Sequence, residues 1–259
     1  MMEVIYPVLI ASSLIMLLLW FIQLKTHNAG TVDVAWSFAT ALAGIWFAYT
    51  VIEGYWLRNL IVGMMIGLWG ARLGMYLFRR VMSEAEDGRY RYMRESCGSY
   101  AQAVMFVFFQ IQAAWAILFA LPILVAVTNP AESLLWTDYI GVVIWLFAMS
   151  GELIADRQLS DFRNNPDNKG MVCKQGLWRY SRHPNYFFEW LHWFAYISIG
   201  AGSDIWWLAW LIMVLMLVFL LKITGVPHTE SQSLRSRGDA YRQYQRETSV
   251  FIPLPPKNA

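Results

Sequence analysis

The sequence predicts an all-α polytopic membrane protein with seven transmembrane helices, N-terminus outside and C-terminus in the cytoplasm. Three observations carry that prediction. Apolar residues make up 58% of the chain and charged residues only 15%, where a soluble domain carries about 25% charged residues. Apolar runs near the roughly 20 residues needed to cross a bilayer recur along the whole length. Lys and Arg gather in alternate loops, which orients a bundle. Aromatic residues reach 16% and suit membrane interfaces. A net charge of +2 leaves no footprint for nucleic acid. The two cysteines, Cys97 and Cys173, lack metal-ligand spacing, so no metal site is expected.

The predicted spans are about 4–24, 32–52, 60–78, 104–127, 138–156, 185–201 and 204–223. The first begins with an acidic leader, "MME", and shows no cleavage site of the secretory kind. The loop after the third span holds Arg79, Arg80, Arg89, Arg91 and Arg94. The loop after the fifth holds Arg157, Arg163, Lys169, Lys174, Arg179 and Arg182, and the tail is basic as well. The alternate loops hold almost nothing: Arg58 between spans two and three, and no Lys or Arg in "TNPAESLLWTD" or "GAGSD". Both cysteines then face the cytoplasm, where reduced thiols are expected. The whole of 1–259 reads as a single membrane domain, and its expected location is a bacterial inner (cytoplasmic) membrane, in contact with membrane lipid.

Ionisable residues inside a span are costly and face a cavity or a partner. Asp33 opens span two in "TVDVAWSF", either as a helix cap or as a functional acid. Arg72 sits in span three, and Asp33 or Glu53 could pair with it. Glu152 and Asp156 close span five, and Glu189 lies one turn inside span six.

The densest chemistry is in "WRYSRHPNYFFEW", residues 178–190. Pro184 suits the first position of a helix, where its missing N–H costs nothing. The free N–H groups and positive dipole end of that helix suit an anion. Arg179, Arg182 and His183 precede it, and Asn185 and Glu189 share one face four residues apart. Cations, then an amide, then a carboxylate fit a dinucleotide with phosphates at the rim and a carboxamide ring below. They also fit S-adenosylmethionine. No G-x-G-x-x-G is present, so a Rossmann domain is not the carrier. The tail "SLRSRGDAYRQYQRETSVFIPLP" places Arg235, Tyr241, Tyr244 and Arg246 on a polar helix, either a lipid-facing helix or a lid over a nucleotide.

"GLWRYSRHPNYFFEW", together with the last span and "YRQYQRETSVFIP", resembles the membrane-embedded steroid 5-alpha-reductase family, in its bacterial branch of unknown function. The likeness is strongest over 150–253, which it implies to be the cofactor-binding region, and weaker over 1–100, the substrate-side helices. It implies an NADPH-dependent oxidoreductase. Such an enzyme reduces the C4=C5 bond of a 3-oxo-Δ4-steroid, or a related lipid enone, by hydride transfer. The Arg-His-Pro-Asn-Tyr core also occurs in isoprenylcysteine and phospholipid methyltransferases, so an S-adenosylmethionine-dependent methyltransferase is the alternative. The resemblance implies cofactor contacts at Asp156, Arg163, Asn185 and Glu189. Arg89, Arg91, Lys174, Arg179, Tyr180, Arg182, His183, Arg235, Tyr241 and Tyr244 complete the expected cofactor set. Glu152 stands where animal members have asparagine. The family's acid is a glutamate in span two with a tyrosine helper in span three; here Asp33 takes the first role and Trp69 or Tyr76 the second. The expected partner is a hydrophobic enone, with no nucleic acid and no obligate protein partner.

Overall fold

A computed structural model of the chain describes residues 2–52, 54–83 and 85–257. Among them the regular structure is helical, apart from one isolated bridge between Ser181 and Ser249. Six helices, among the described residues, are long and apolar enough to cross a membrane. The segment expected as span six is a helix of 16 residues, Pro184–Ile199. At 1.5 Å per residue it extends about 24 Å, short of a hydrocarbon layer of roughly 30 Å.

The described residues fall into two compact units. The first comprises Met1–Leu135 and Gly200–Ala209. It contains α1 (Met2–Thr26), α2 (Thr31–Thr50), α3 (Trp56–Ser83), α4 (Gly88–Cys97) and α5 (Ala101–Val127). Helix α2 packs on both α3 and α5, and α1 packs on α5. The α2–α3 contact is close because glycine forms its surface: a Cβ on Gly74 would lie 2.6 Å from the Phe38 ring. Large apolar residues on α1 such as Ile10, Leu14 and Leu18 stay exposed, as a lipid-facing helix requires.

Arg58 was legible only as an isolated loop cation. The structure buries it to 1% exposure. Its guanidinium donates to the carbonyls of Asn129, Ala131 and Ser133 at 3.3, 2.8 and 2.7 Å. A buried arginine needs such acceptors, and in return it shapes the segment after α5.

The second unit comprises Trp136–Ile199 and Trp210–Ala259. It holds α6 (Trp136–Asn164), α7 (Pro184–Ile199), the end of α8 (Trp206–Val218) and α9 (Gly225–Glu247). Helices α6 and α7 form its main contact. Again glycine permits it: a Cβ on Gly151 would meet the Phe188 ring at 2.4 Å. Helix α9 is broken at Gly238, whose φ of 51° suits only glycine without strain.

Candidate functional site at the start of helix α7

Pro184 does open α7, as its chemistry predicts. The residues before it serve a purpose the sequence did not show. Arg182 turns inward, with its side chain 10% exposed, and pairs with Glu230 of α9 at 2.6 Å. Its other nitrogen donates to the carbonyls of Gln245 and Thr248 at 2.9 and 2.6 Å. Its backbone N–H donates to the Ser249 carbonyl at 2.8 Å. His183, 2% exposed, lies 3.3 Å from the same Glu230 oxygen and stacks on Tyr186. Gln245 donates to the second Glu230 oxygen at 2.8 Å. One carboxylate thus gathers an arginine, a histidine and an amide.

The tail tyrosines join this clasp. The Tyr244 hydroxyl donates to the carbonyls of Trp178 and Ser181, and Tyr241 packs edge-on against the Tyr244 ring. Lys174 pairs with Glu247 at 3.0 Å and lies over the Tyr244 ring. Ser181 donates to the Phe251 carbonyl at 2.7 Å. Of the expected cofactor contacts, Arg182, His183, Lys174, Tyr241 and Tyr244 therefore hold the C-terminal segment against the α7 start. Arg163, Arg179, Tyr180 and Arg235 remain exposed.

Inward from the clasp, α6 and α7 share a polar seam. Asn185 donates to Asp156 at 3.2 Å. One turn deeper is Glu189, with a side chain 16% exposed, and on α6 the buried Glu152 follows the Gly151 that packs on Phe188. His192, fully buried, has Nδ1 2.6 Å from the Glu189 carbonyl oxygen and 3.9 Å from its carboxylate. Tyr196 follows, also fully buried. Asn185, Glu189, His192 and Tyr196 recur at intervals of four, three and four, so they line one helix face. Polar groups in this register within apolar helices mark a functional face by default.

The residues expected to donate a proton lie in the first unit. Asp33 is not the cap of α2; Gly30 holds that position. Both of its carboxylate oxygens are engaged, Oδ1 by the Tyr90 hydroxyl at 2.6 Å and Oδ2 by Arg89 at 3.1 Å. Arg89 also donates to Asp87 at 3.1 and 3.2 Å, so this expected phosphate contact ties α4 to α2. Arg91 is exposed. Asp33 lines a cavity of about 20 Å³ together with Leu77, Arg80 and Val81. That level is two turns along α3 from Trp69, which is fully buried edge-on to Trp36. Tyr76 adjoins the Asp33 level in sequence but is 48% exposed. Arg72 is half-buried, and Glu53, its other suggested partner, lies outside the described residues.

Sequence reasoning missed His192 and Tyr196 on the α7 face, and two residues outside it. Glu230 organises the clasp, and its only signal was an acid in a tail of basic residues. Tyr90 looked like one more loop aromatic, yet it is 1% exposed and bonded to Asp33.

A family model described as "Protein of unknown function (DUF1295)" matches residues 19–248. The chain belongs to this family. It is similar to "Uncharacterized protein C594.04c" of the fission yeast Schizosaccharomyces pombe, with 26% identity over 262 residues, covering 91% of this chain and 75% of that protein. "Uncharacterized protein C9.08c" of the same yeast is 34% identical over 101 residues, covering 32% of this chain and 36% of that protein. No solved structure matches. Fission-yeast relatives lend no support to a bacterial inner membrane; the membrane character rests on the helices themselves.

Proposed function

We propose that this chain is a membrane-embedded reductase that uses NADPH to reduce a hydrophobic enone, a steroid or another lipid. The observation that carries the reading is the seam at the start of α7. There the Asn185–Asp156 pair is followed one turn inward by Glu189 on the same helix face. The donor set suits the cofactor chemically. An amide and two carboxylates can bind a carboxamide and ribose hydroxyls, and the exposed Arg163, Arg179 and Arg235 can meet phosphates. Bound NADPH would supply a hydride.

The protein's own part is binding, orientation and proton supply. Asn185 and Glu189 orient the ring, and the apolar body of α7 excludes water. Asp33 is the assigned proton source; as a carboxylate it accepts from Arg89 and from the Tyr90 hydroxyl, so it must take up a proton before it can give one. A donor placed where negative charge forms on the enone oxygen raises the chemical rate. The basic ends of the helices face the cytoplasm in this reading, α7 counts as the sixth of seven crossings, and the N-terminus is outside.

Ligand-induced thermal stabilisation of the detergent-solubilised protein tests the reading. NADPH at 100 times its Kd should stabilise by about 2.7 kcal/mol, because a ligand of the native state shifts unfolding by mass action. S-adenosylmethionine should have no effect. The opposite result selects the methyltransferase. Glu189→Gln should abolish the NADPH shift while leaving the unliganded melting temperature near wild type. Asp33→Asn should keep the NADPH shift and lower turnover of an enone such as progesterone.

A further inference from the structure

The first unit carries a second feature, at the end of α2 and α3 remote from Arg79, Arg80 and Arg89 of the same unit. A groove of about 770 Å³ lies between these helices, lined by Ile45, Tyr49, Leu60, Gly63, Met64 and Gly67 among others. That volume is in the range of pockets that hold one small molecule, roughly 300–1,000 Å³. Its lining is almost wholly apolar, and Tyr49, Trp56 and Met64 are well exposed around it. Such exposure at the end of two spanning helices places the groove in lipid and its aromatic rim at an interface.

One polar group stands in the wall. Asn59 also lines the groove and is only 6% exposed. Its Nδ2 donates to the Val51 carbonyl at 2.6 Å. Its Oδ1 is buried with no hydrogen-bond partner among the described residues. A bare acceptor in a water-free layer is costly. It calls for a donor, and lipid chains have none.

The two glycines could suggest another occupant. Gly-x-x-x-Gly stripes often bring a second helix close. Here the stripe is already used: Cβ atoms on Gly63 and Gly67 would lie 3.4 Å from Ala48 and 3.3 Å from Ile45, both on α2 of the same chain. What stays open is a cleft beside a packed helix pair, suited to a chain and not to a helix.

We propose that this groove binds a single-chain lipid alcohol, its hydrocarbon tail along Gly63 and Gly67 and its hydroxyl donating to Asn59 Oδ1. The oxygen of an enone accepts and cannot donate, so this site is distinct from the proposed reduction and does not depend on it.

The test uses the full chain in phosphatidylcholine vesicles with two photoactivatable probes. One is a long-chain primary alcohol with a mid-chain diazirine; the other is its methyl ether. Mass spectrometry of cross-linked peptides should show residues 45–68 labelled about five- to tenfold more by the alcohol, the worth of one neutral hydrogen bond. Asn59→Leu should remove the difference between the probes. Gly63→Leu should lower alcohol labelling by filling the groove. Met64→Trp should do the same from the exposed side, where Met64 is 51% exposed and no packed contact has to give way, so a folding defect in the glycine variant leaves the test intact. Equal labelling by alcohol and ether would mean bulk lipid only and would overturn the proposal. So would protection of the groove together with cross-links between Met64→Cys copies, which would assign it to a second chain.

Discussion

Each unit of this protein partly or wholly buries an arginine beside a helix start, and the two are held differently. Arg89 in the first unit is 36% exposed and meets two carboxylates, Asp33 and Asp87. Arg182 in the second is 10% exposed and meets one carboxylate and two backbone carbonyls. Partners on side chains can follow one another if one moves. Carbonyls belong to the main chain, so Arg182 dictates the path of residues 245–249. Arg89 links neighbouring helices, while Arg182 shapes a segment with little apolar surface of its own. An arginine near a predicted site can therefore be structural, and the carbonyls around it are the sign.

The largest expected effect follows from that difference. Arg182→Ala leaves the largely buried Glu230 with only His183 and Gln245, and breaking a buried pair costs about 3–5 kcal/mol. The variant should melt earlier and lose protease resistance in the tail. Arg182→Lys should rescue little, because one ammonium cannot span a carboxylate and two carbonyls. If Arg182→Lys melts like the wild type, the distinction between the two arginines fails.

Arg89→Ala should cost less, about 1–2 kcal/mol, between the limits for exposed and buried pairs. Arg89→Lys should recover much of that loss.

Acid should sharpen the comparison further. Burial pushes the Asp87 carboxyl up, but the side-chain and backbone N–H groups of Arg89 and the nearby Arg80 outweigh it and hold the carboxyl below its ordinary value of 3.8. A depressed folded-state value means stability that is fully present above pH 3.8 and lost as pH falls through the folded-state value. The α3–α4 junction should therefore loosen only in that acid range, and Asp87→Asn should remove this part of the pH dependence. Amide hydrogen exchange near Arg89 would report it.

The smallest effect belongs to Arg157 and Asp161, a pair 3.8 Å apart with side chains 85% and 71% exposed. Arg157→Ala should change stability by less than about 0.5 kcal/mol.

The spanning helices were readable because lipid imposes a length and a composition that no packing detail overrides. The α7 start was readable from Pro184, and the shared face of Asn185 and Glu189 from helical spacing. Arg182 and His183 were legible as chemistry but not as contacts. Their partner, Glu230, stands 48 residues away from Arg182, and no local pattern encodes such a pairing. Tyr90 escaped for the same reason, since its hydroxyl meets Asp33 across 57 residues.

Composition and periodicity alone determined an all-helical membrane chain, its basic ends and the helix that carries the seam, because these depend on residues within a few turns of one another. Tertiary structure alone decided which cations remain exposed and which are consumed by the chain itself. It also placed Asp33 between Arg89 and Tyr90 and opened a groove beside Asn59. Those outcomes depend on which distant groups share a small volume, and that is settled by packing, not by order along the chain.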